Sequence, residues 1–452
     1  MSAKDTIVAL STPQGVGAIG VIRLSGPEAF SAVAKHLGAA ITTAEANTVH
    51  FGRFSLGDKV LDEVVATVFR APRSYTGEDV VELSFHGSSF ILNEAMQALI
   101  TSGSRLAEPG EFTQRAFLNG KLDLSQAEAV ADLIASESAA EHRLAMHQMR
   151  GGFSNEISRL REELIHFASL IELELDFSEE DVEFANRDEL VELVRRIQGF
   201  VGRLIESFRF GNAIKQGVPV AIIGKPNAGK STLLNLVLNE DKAIVSDIAG
   251  TTRDAIEDVT VLQGIRFRFI DTAGIRETED VIESLGVKKS KEKMKSAAIV
   301  VYLFDAAESW TSHEQTIQGL MDELDGTSAE IIPVANKMDL LKAAPTFPDA
   351  VIPLSAKSGD GLDEFTQQLV GRINTTGAGQ GDVVVTNTRH LQALRATHEA
   401  LDKTLNAIGA GLSGDLVAAD IREALHHLGS ITGEITTDDL LGNIFGKFCI
   451  GK

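Results

Sequence analysis

The chain has 452 residues, 44% hydrophobic and 23% charged, which is the composition of an ordinary globular protein with about two to four domains. Its formal net charge of -22 disfavours tight, non-specific binding to a phosphate backbone, so any nucleic acid needs a local basic patch or a partner protein. The chain has a single cysteine, Cys449, and no apolar run near the ~20 residues needed to cross a bilayer. Its first residues do not have the pattern of a signal peptide. We therefore expect a soluble cytoplasmic protein.

The first 118 residues mix strand-like and helix-like segments that are separated by glycine and proline. Apolar patterning predicts strands at 18–24, 60–69 and 80–85, and a helix over 91–101. This mixture is typical of an α+β domain, which we assign to residues 1–118.

From about residue 122 the spacing of apolar residues becomes helical. Helices are predicted over 124–149, 155–176 and 187–209, with few helix-breaking residues inside them. We assign residues 119–214 to the first part of an all-α domain.

Strands and helices then alternate from the apolar run at 218–224, a pattern typical of a parallel sheet covered by helices. Helical spacing resumes at 390–408 and continues towards the end. Because helical segments flank the α/β region, we expect a Ras-like α/β domain at 215–376, inserted into a helical domain that continues over 377–452.

Residues 224–231 read G-K-P-N-A-G-K-S and match the P-loop pattern, with an apolar strand before them and an apolar helix after them. Successive backbone N–H groups of such a loop surround phosphates, and the helix dipole lies behind them. Lys230 is expected to reach the β and γ phosphates and act in catalysis, and Ser231 to ligate Mg²⁺. The other nucleotide contacts predicted here are Asn227, Ala228, Gly229 and Thr232.

Two further segments have the features of switch regions. The sequence A-G-T-T-R-D at 249–254 offers Thr252 to complete the Mg²⁺ shell, and D-T-A-G at 271–274 offers Asp271 to hold Mg²⁺ through water. The predicted nucleotide contacts in this part of the chain are Ser246, Asp247, Ile248, Ala249, Gly250, Thr251, Thr252, Asp271, Thr272, Ala273 and Gly274.

Two segments then predict recognition of guanine. In N-K-M-D at 336–339 the Asp339 carboxylate can accept two hydrogen bonds from the guanine edge, whereas adenine would leave that carboxylate unpaired. S-A-K at 355–357 would close the base pocket. The predicted contacts are Asn336, Lys337, Asp339, Ser355, Ala356 and Lys357. All five segments in this order indicate a guanine-nucleotide-binding GTPase.

The residue that orients the attacking water is not the usual one. Ras-type enzymes place a glutamine directly after the Asp-x-x-Gly motif, and this chain has Ile275 there. Glu283, further along the segment, is our candidate for the catalytic role. On residue chemistry alone, a solvated glutamate at the start of a helix remains an alternative.

Several segments outside these motifs are distinctive: D-T-I-V-A at 5–9, T-G-E-D at 76–79, P-G-E-F-T at 109–113, R-A-F-L-N-G-K at 115–121 and F-C-I-G-K at 448–452. With them the chain resembles, over its full length, the MnmE (TrmE) family of tRNA modification GTPases. The resemblance implies a constitutive homodimer whose N-terminal domain binds a reduced folate, formyl- or methylene-tetrahydrofolate. It also implies an FAD-dependent partner, MnmG (GidA), in a heterotetramer-type complex that adds an aminomethyl-type group to the wobble uridine of tRNA.

The resemblance also implies roles for individual residues. Glu283 corresponds to the family's water-orienting glutamate. The folate-contacting positions correspond to Arg23, Glu82, Lys121 and Lys452. The family binds K⁺ in the nucleotide site through positions that correspond to Asn227, Ser246, Ile248 and Thr251.

Two other functions compete with this interpretation. A GTP-dependent ribosome-assembly or translation switch would bind RNA and use GTP as a timer, but the net charge opposes it and it has no use for a folate. A scaffold with a vestigial nucleotide site is disfavoured because every phosphate-binding segment is intact. Cys449 is expected to be a small buried side chain with no catalytic role.

Overall fold

A computed structural model describes residues 5–176, 186–239, 258–270, 296–324, 329–341, 345–374 and 383–451. The chain divides into two compact units. The first comprises Met1–Ala131, Gln148–His166 and Leu425–Lys452, and the second Asp132–His147 and Phe167–Ala424. Within the described ranges, no helix combines the length and the apolar character that a membrane span requires.

The first unit contains a six-stranded sheet in the order β3-β4-β5-β2-β1-β6. Only the β1–β6 pair is parallel; the other neighbouring strands are antiparallel. The strands are β1 (Ile7–Leu10), β2 (Ile19–Ser25), β3 (Thr48–Leu56), β4 (Lys59–Phe69), β5 (Val80–His86) and β6 (Arg105–Leu106). The three strands predicted from the sequence in this region are confirmed as β2, β4 and β5.

One face of this sheet forms the core of the N-terminal region. Its inward side chains, such as Ile22, Val64 and Leu83, pack with helices α1 (Ala29–Leu37) and α2 (Ser89–Thr101). Because successive side chains of a strand point to opposite faces, the neighbouring residues on each strand belong to the other face. That second face is partly covered by a small buried cluster of Ile7, Ala9, Ala107 and Phe112, and it carries the polar site described below. Helix α3 (Glu111–Leu118) follows β6.

The helical segments are α4 (Leu124–Ala135), α5 (Ala139–Met149), α6 (Gly152–Asp176) and α7 (Arg187–Gln216). The prediction of a single helix over 124–149 is therefore wrong, because residues 136–138 separate α4 from α5. Ser138 provides the reason, since its Oγ accepts a hydrogen bond from the Glu141 N–H (3.2 Å) and so caps a new helix. Helix α7 continues past the predicted end to Gly217, whose φ of 81° ends it.

The second unit contains another six-stranded sheet, in the order β12-β11-β10-β7-β9-β8. All its pairs are parallel except the β8–β9 hairpin. Its strands are β7 (Val218–Ile223), β8 (Asp258–Leu262), β9 (Ile265–Phe269), β10 (Ile299–Asp305), β11 (Glu330–Asn336) and β12 (Ile352–Pro353), and its helices α8 (Lys230–Asn239), α9 (Trp310–Glu323) and α10 (Leu362–Asn374). The buried strands β7 and β10 read as continuous apolar runs because helices cover both faces of such a sheet.

The last helices are α11 (Thr388–Gly409), α12 (Gly414–Thr432) and α13 (Asp438–Phe445). Within the second unit α11 packs along α7. Within the first unit α13 packs beside α3, and the rings of Phe445 and Phe117 lie 6.4 Å apart. The chain is thus a multidomain protein with α+β, helical and P-loop α/β parts, which confirms the predicted fold class.

Candidate functional site

The P-loop connects strand β7 to helix α8. Gly224 has a φ of 157°, and a Cβ there would lie 2.1 Å from the carbonyl oxygen of Leu303 on β10. Gly229 has a φ of 97°, and its Cβ would lie 2.3 Å from the Asn336 amide nitrogen. Asn227, at the exposed tip, takes the left-handed conformation with a φ of 63°. Both glycines are therefore fixed by close packing as well as by conformation.

The Lys230 ammonium is already held across this loop. It donates hydrogen bonds to the carbonyl oxygens of Gly224 and Lys225, both at 2.9 Å. Burial lowers the pKa of Lys230. An ammonium has three donors, so these two bonds orient the third N–H, which is available for a phosphate oxygen.

Asn336 joins three of the five motifs through one buried side chain that is 2% exposed. Its Nδ2 donates to the carbonyl oxygen of Ala228 in the P-loop (2.7 Å). Its Oδ1 accepts from the N–H of Ala356 in the S-A-K segment (2.9 Å). Because both halves of the amide are used, the side chain locks the phosphate loop to the base-binding loops.

The Asp339 carboxylate, which is predicted to recognise the base, is also oriented by a partner. The Ser355 hydroxyl donates to Asp339 Oδ1 (2.7 Å), and the N–H of Ser358 donates back to the Ser355 oxygen at 3.3 Å. Lys337 has a φ of 67° and its ammonium pairs with Asp305 at the end of β10. The exposed Lys357 follows in the same loop.

The structure therefore brings the P-loop and the two base-binding motifs together at the carboxyl ends of β7, β10 and β11. The residues assembled at this edge are Asn227, Ala228, Gly229, Lys230, Ser231, Thr232, Asn336, Lys337, Asp339, Ser355, Ala356 and Lys357. The remaining predicted residues lie outside the described part of the chain: Ser246, Asp247, Ile248, Ala249, Gly250, Thr251, Thr252, Asp271, Thr272, Ala273, Gly274, Glu283 and Lys452.

A second polar site lies on the face of the N-terminal sheet opposite the α1–α2 core. Arg23 on β2 stands opposite Glu82 on β5, and the Arg23 Nε donates to Glu82 Oε1 at 2.8 Å. The guanidinium carbon of Arg23 lies 5.5 Å from the ring centre of Tyr75 and 5.7 Å from that of Phe112. A cation between two aromatic faces is thereby held in a fixed orientation.

Lys121 reaches the same loop from the end of α3. Its Cγ lies 3.5 Å from the position that a Cβ on Gly77 would occupy. The loop itself is fixed, because the Tyr75 hydroxyl bonds to Thr113 Oγ1 (2.9 Å) and the Asn119 amide donates to the carbonyl oxygen of Thr76 (2.7 Å). The loop at 75–77 thus lies between the two predicted cations, Arg23 and Lys121.

The end of the chain lies beside this site. The N–H of Gly110 donates to the carbonyl oxygen of Cys449 (3.3 Å), and the Ser11 hydroxyl donates to that of Gly451 at 3.4 Å. Leu10, which Gly451 contacts, pairs with the residue before Arg23. The Cys449 side chain is exposed, so the expectation that it is buried was wrong. Only its backbone is anchored, which leaves the thiol in solvent.

Sequence reasoning did not single out Tyr75, Phe112 or Asp305 as site residues. Tyr75 directly precedes the T-G-E-D segment and Phe112 lies within P-G-E-F-T, so their positions in distinctive segments were the available signal. No sequence signal pointed to Asp305, because an aspartate at the end of an apolar strand is common.

Two known family models match this chain, one over its N-terminal region and one over the rest. The family model described as GTP-binding protein TrmE N-terminus matches residues 6–121, and the one described as MnmE helical domain matches residues 124–449. The tRNA modification GTPase MnmE of Cytophaga hutchinsonii is 56% identical over 99% of this chain and 98% of its own length. The protein of the same name from Christiangramia forsetii is 53% identical over the whole of both chains.

Among solved structures, Aquifex aeolicus Era bound to GDP.AlF4- is 29% identical and covers 40% of this chain and 66% of its own, with a TM-score of 0.27. That TM-score is too low to support a statement about the fold. The two family models and the full-length relatives are decisive without it. The chain belongs to the MnmE (TrmE) family of tRNA modification GTPases.

Proposed function

We propose that this GTPase of tRNA modification uses GTP hydrolysis to drive the addition of an aminomethyl-type group to the wobble uridine of tRNA. The one-carbon unit comes from a reduced folate, and the redox chemistry from the FAD-dependent partner MnmG. The proposal depends on one observation, that a single chain contains two sites. In the first, the P-loop is already bonded to the base-binding motifs. The second contains the cations Arg23 and Lys121 and lies beside the C-terminal segment.

In the nucleotide site, we assign Lys230 to the β and γ phosphates and Asp339 to the guanine edge. The ammonium is oriented by two loop carbonyls and the carboxylate by Ser355, so both groups are preorganised. Ser231 lies in the first turn of α8, where a hydroxyl suits Mg²⁺, and Thr252 would complete the set. Magnesium would neutralise charge on the phosphates there.

We assign the orientation of the attacking water to Glu283, because Ile275 has no polar group for that task. A potassium ion would supply positive charge beside the phosphates, held by Asn227, Ser246, Ile248 and Thr251. The exposed amide of Asn227 at the loop tip fits this role, since a carbonyl oxygen is a suitable ligand for a hard cation.

In the second site, we assign Arg23 and Lys121 to the carboxylates of the folate's glutamate tail, with Glu82 and the terminal Lys452 completing the contacts. The ring of Tyr75, which is 37% exposed, adds flat apolar surface of the kind that a pterin ring stacks on, and the buried Phe112 ring supports the Arg23 guanidinium. Gly451, the last described residue, lies against Leu10, whose strand pairs with the strand of Arg23.

The proposal extends to assembly and organisation. The protein would act in the cytoplasm as a homodimer and join MnmG in a heterotetramer-type complex that acts on tRNA. Residues 1–118 would be the folate-binding and dimerisation domain, 119–214 and 377–452 the helical domain, and 215–376 the inserted G domain. The two family models, which match residues 6–121 and 124–449, support the boundary between the first two domains.

Calorimetric titration with formyl-tetrahydrofolate tests the folate assignment. We expect the full chain to bind it, and removal of Phe448–Lys452 to weaken that binding by about tenfold while GTP affinity stays nearly constant. Unchanged folate affinity after truncation would remove Lys452 from the site. Absence of folate binding in the full chain would overturn the assignment of the second site to a folate.

A further inference from the structure

The loop that follows β10 belongs to none of the five nucleotide-binding motifs, yet it contacts two of them. It reads D-A-A-E, Asp305 to Glu308, and we refer to it as the carboxylate loop. Asp305 pairs in register with Asn336 on β11, and the Ala306 N–H donates to the carbonyl oxygen of Asn336 at 2.8 Å. Its backbone is therefore anchored to the base-recognition motif.

Its first carboxylate holds the lysine of that motif. Asp305 Oδ2 accepts from the Lys337 ammonium at 2.8 Å, and Oδ1 accepts from the N–H of Ala307 at 3.0 Å. Burial alone would raise the pKa of Asp305, but the hydrogen bonds from Lys337 and Ala307 lower it below its ordinary value. The carboxylate is consequently ionised at neutral pH and oriented by the loop's own backbone.

Its second carboxylate holds the first lysine of the P-loop. Glu308 Oε2 accepts from the Lys225 ammonium at 2.5 Å. The carbonyl oxygen of Lys225 in turn accepts a hydrogen bond from the Lys230 ammonium at 2.9 Å. Glu308 thus restrains the residue whose backbone orients the phosphate-binding lysine.

A buried imidazole on α9 lies behind Glu308. His313 is completely buried and stacks on Phe304 with ring centres 4.2 Å apart. Its Nδ1 forms a hydrogen bond with the Tyr302 hydroxyl at 2.9 Å. Its Nε2 lies 3.3 Å from Glu308 Oε2. The end of the carboxylate loop therefore lies against a buried, packed side chain.

We infer that the carboxylate loop is an additional positioning element of the nucleotide site, in which Asp305 fixes Lys337 and Glu308 fixes Lys225 before nucleotide arrives. The two lysine side chains are long, and each loses much rotamer freedom when it is ordered. A site in which they are already ordered binds nucleotide more tightly, because binding does not have to immobilise them.

The test uses isosteric variants that remove only the negative charge, Asp305→Asn and Glu308→Gln. Each has a matched control of similar exposure away from the nucleotide edge. The Arg372–Glu330 pair (37% and 33% exposed) matches Lys337–Asp305 (31% and 26%), and Lys403–Glu423 (54% and 43%) matches Lys225–Glu308 (54% and 39%). The controls are therefore Glu330→Gln and Glu423→Gln.

Dissociation constants for GDP and steady-state GTP hydrolysis are measured on the full chain. We expect Asp305→Asn to raise the Kd for GDP by about five- to tenfold and Glu308→Gln, whose pair with Lys225 is more exposed, by about two- to threefold. KM should rise in parallel, with kcat within about twofold of the wild type. The two control variants should leave all three constants unchanged. Unchanged Kd in both loop variants would overturn the inference.

A double-mutant cycle separates positioning from a general effect on folding. If Asp305 acts through Lys337, then Asp305→Asn should add no further loss of GDP affinity to a Lys337→Ala protein. The same holds for Glu308→Gln on a Lys225→Ala background. Losses that add fully in both cycles would show that the carboxylates act on stability and not through the two lysines, which would contradict the inference.

Discussion

At the scale of single residues, Asn336 and Asp339 show how the nucleotide edge is built. Asn336 was expected from its motif to contact the base region, and the structure shows that its amide also bonds the P-loop and the S-A-K segment. Asp339 presents a carboxylate that Ser355 orients. We therefore expect selection of guanine to depend on this one oriented side chain.

Replacement of Asp339 by asparagine tests that selection. An amide places a donor where the guanine amino group also donates, so the KM for GTP should rise by about 100-fold. Xanthosine triphosphate has a carbonyl at that position, and the variant should therefore prefer it to GTP. Competition binding of the two nucleotides decides the matter, and a variant that still prefers GTP would refute the base-pocket assignment.

The cation is the second prediction at this scale. A positive charge fixed between the phosphates in a screened site is worth about 10²–10³ in rate, so hydrolysis should be much faster in KCl than in NaCl at equal ionic strength. Asn227→Ala should remove most of this difference with little loss of nucleotide affinity, because only the cation ligand is lost. Phosphate release across a salt series measures both effects.

Glu283→Ala is the matched comparison for that experiment. It should slow hydrolysis by about 100-fold in both salts, because it removes the group that orients the water and leaves the cation ligands in place. Equal wild-type rates in KCl and NaCl would defeat the cation assignment. A fully active Glu283→Ala protein would remove Glu283 from the catalytic residues.

At the scale of elements, helix α3 is anchored by a buried ionic network. Arg115 donates to Asp5 Oδ1 (2.7 Å), to Glu111 Oε1 (2.9 Å) and to Glu78 Oε2 (3.2 Å). Arg105 pairs with Asp5 and Glu111 as well. The network ties α3 to the chain's start and to the loop that carries Tyr75, and so fixes the geometry of the second site.

This network predicts acid sensitivity. Burial would raise the pKa of Glu111, but the hydrogen bonds from Arg105 and Arg115 hold it below its usual value of 4.5. A depressed folded-state pKa means that the stabilisation is complete above about pH 4.5 and is lost as pH falls through the lower folded value. Glu111→Gln should cost about 3 kcal/mol at pH 7 and flatten the loss between pH 5 and pH 3, measured by calorimetric unfolding.

Glu63→Gln is the control for this prediction. Glu63 pairs with Arg53 on an exposed part of β3 and β4, where both side chains are more than half exposed. Exposed pairs contribute little, so this variant should keep the wild-type pH profile. An identical pH profile for Glu111→Gln and the wild type would contradict the role of the network.

The elements also show what sequence could and could not predict. The P-loop was predictable because its glycines, lysine and serine obey a fixed local spacing. The break before α5 was not, because the capping by Ser138 competes with a continuous apolar period. The Asp5–Arg115 contact joins residues 110 positions apart, and the partner of a buried arginine follows from the tertiary fold and not from local pattern.

At the scale of the whole molecule, we propose that one chain carries two chemistries, GTP hydrolysis at the edge of the second sheet and folate binding on the polar face of the first. Family membership establishes a GTPase of tRNA modification. The folate and the FAD-dependent partner are proposed beyond family membership, and we expect both to be required for the tRNA product.

The most direct test reconstitutes the reaction with this protein, MnmG, FAD, GTP, KCl, a nitrogen donor, methylene-tetrahydrofolate and unmodified tRNA, and analyses the wobble nucleoside by mass spectrometry. We predict an aminomethyl-type uridine in the complete mixture, and none when GTP, the folate or MnmG is left out or when Arg23→Ala protein is used. Modified uridine formed at the full rate without folate, or by the Arg23→Ala protein, would contradict the account.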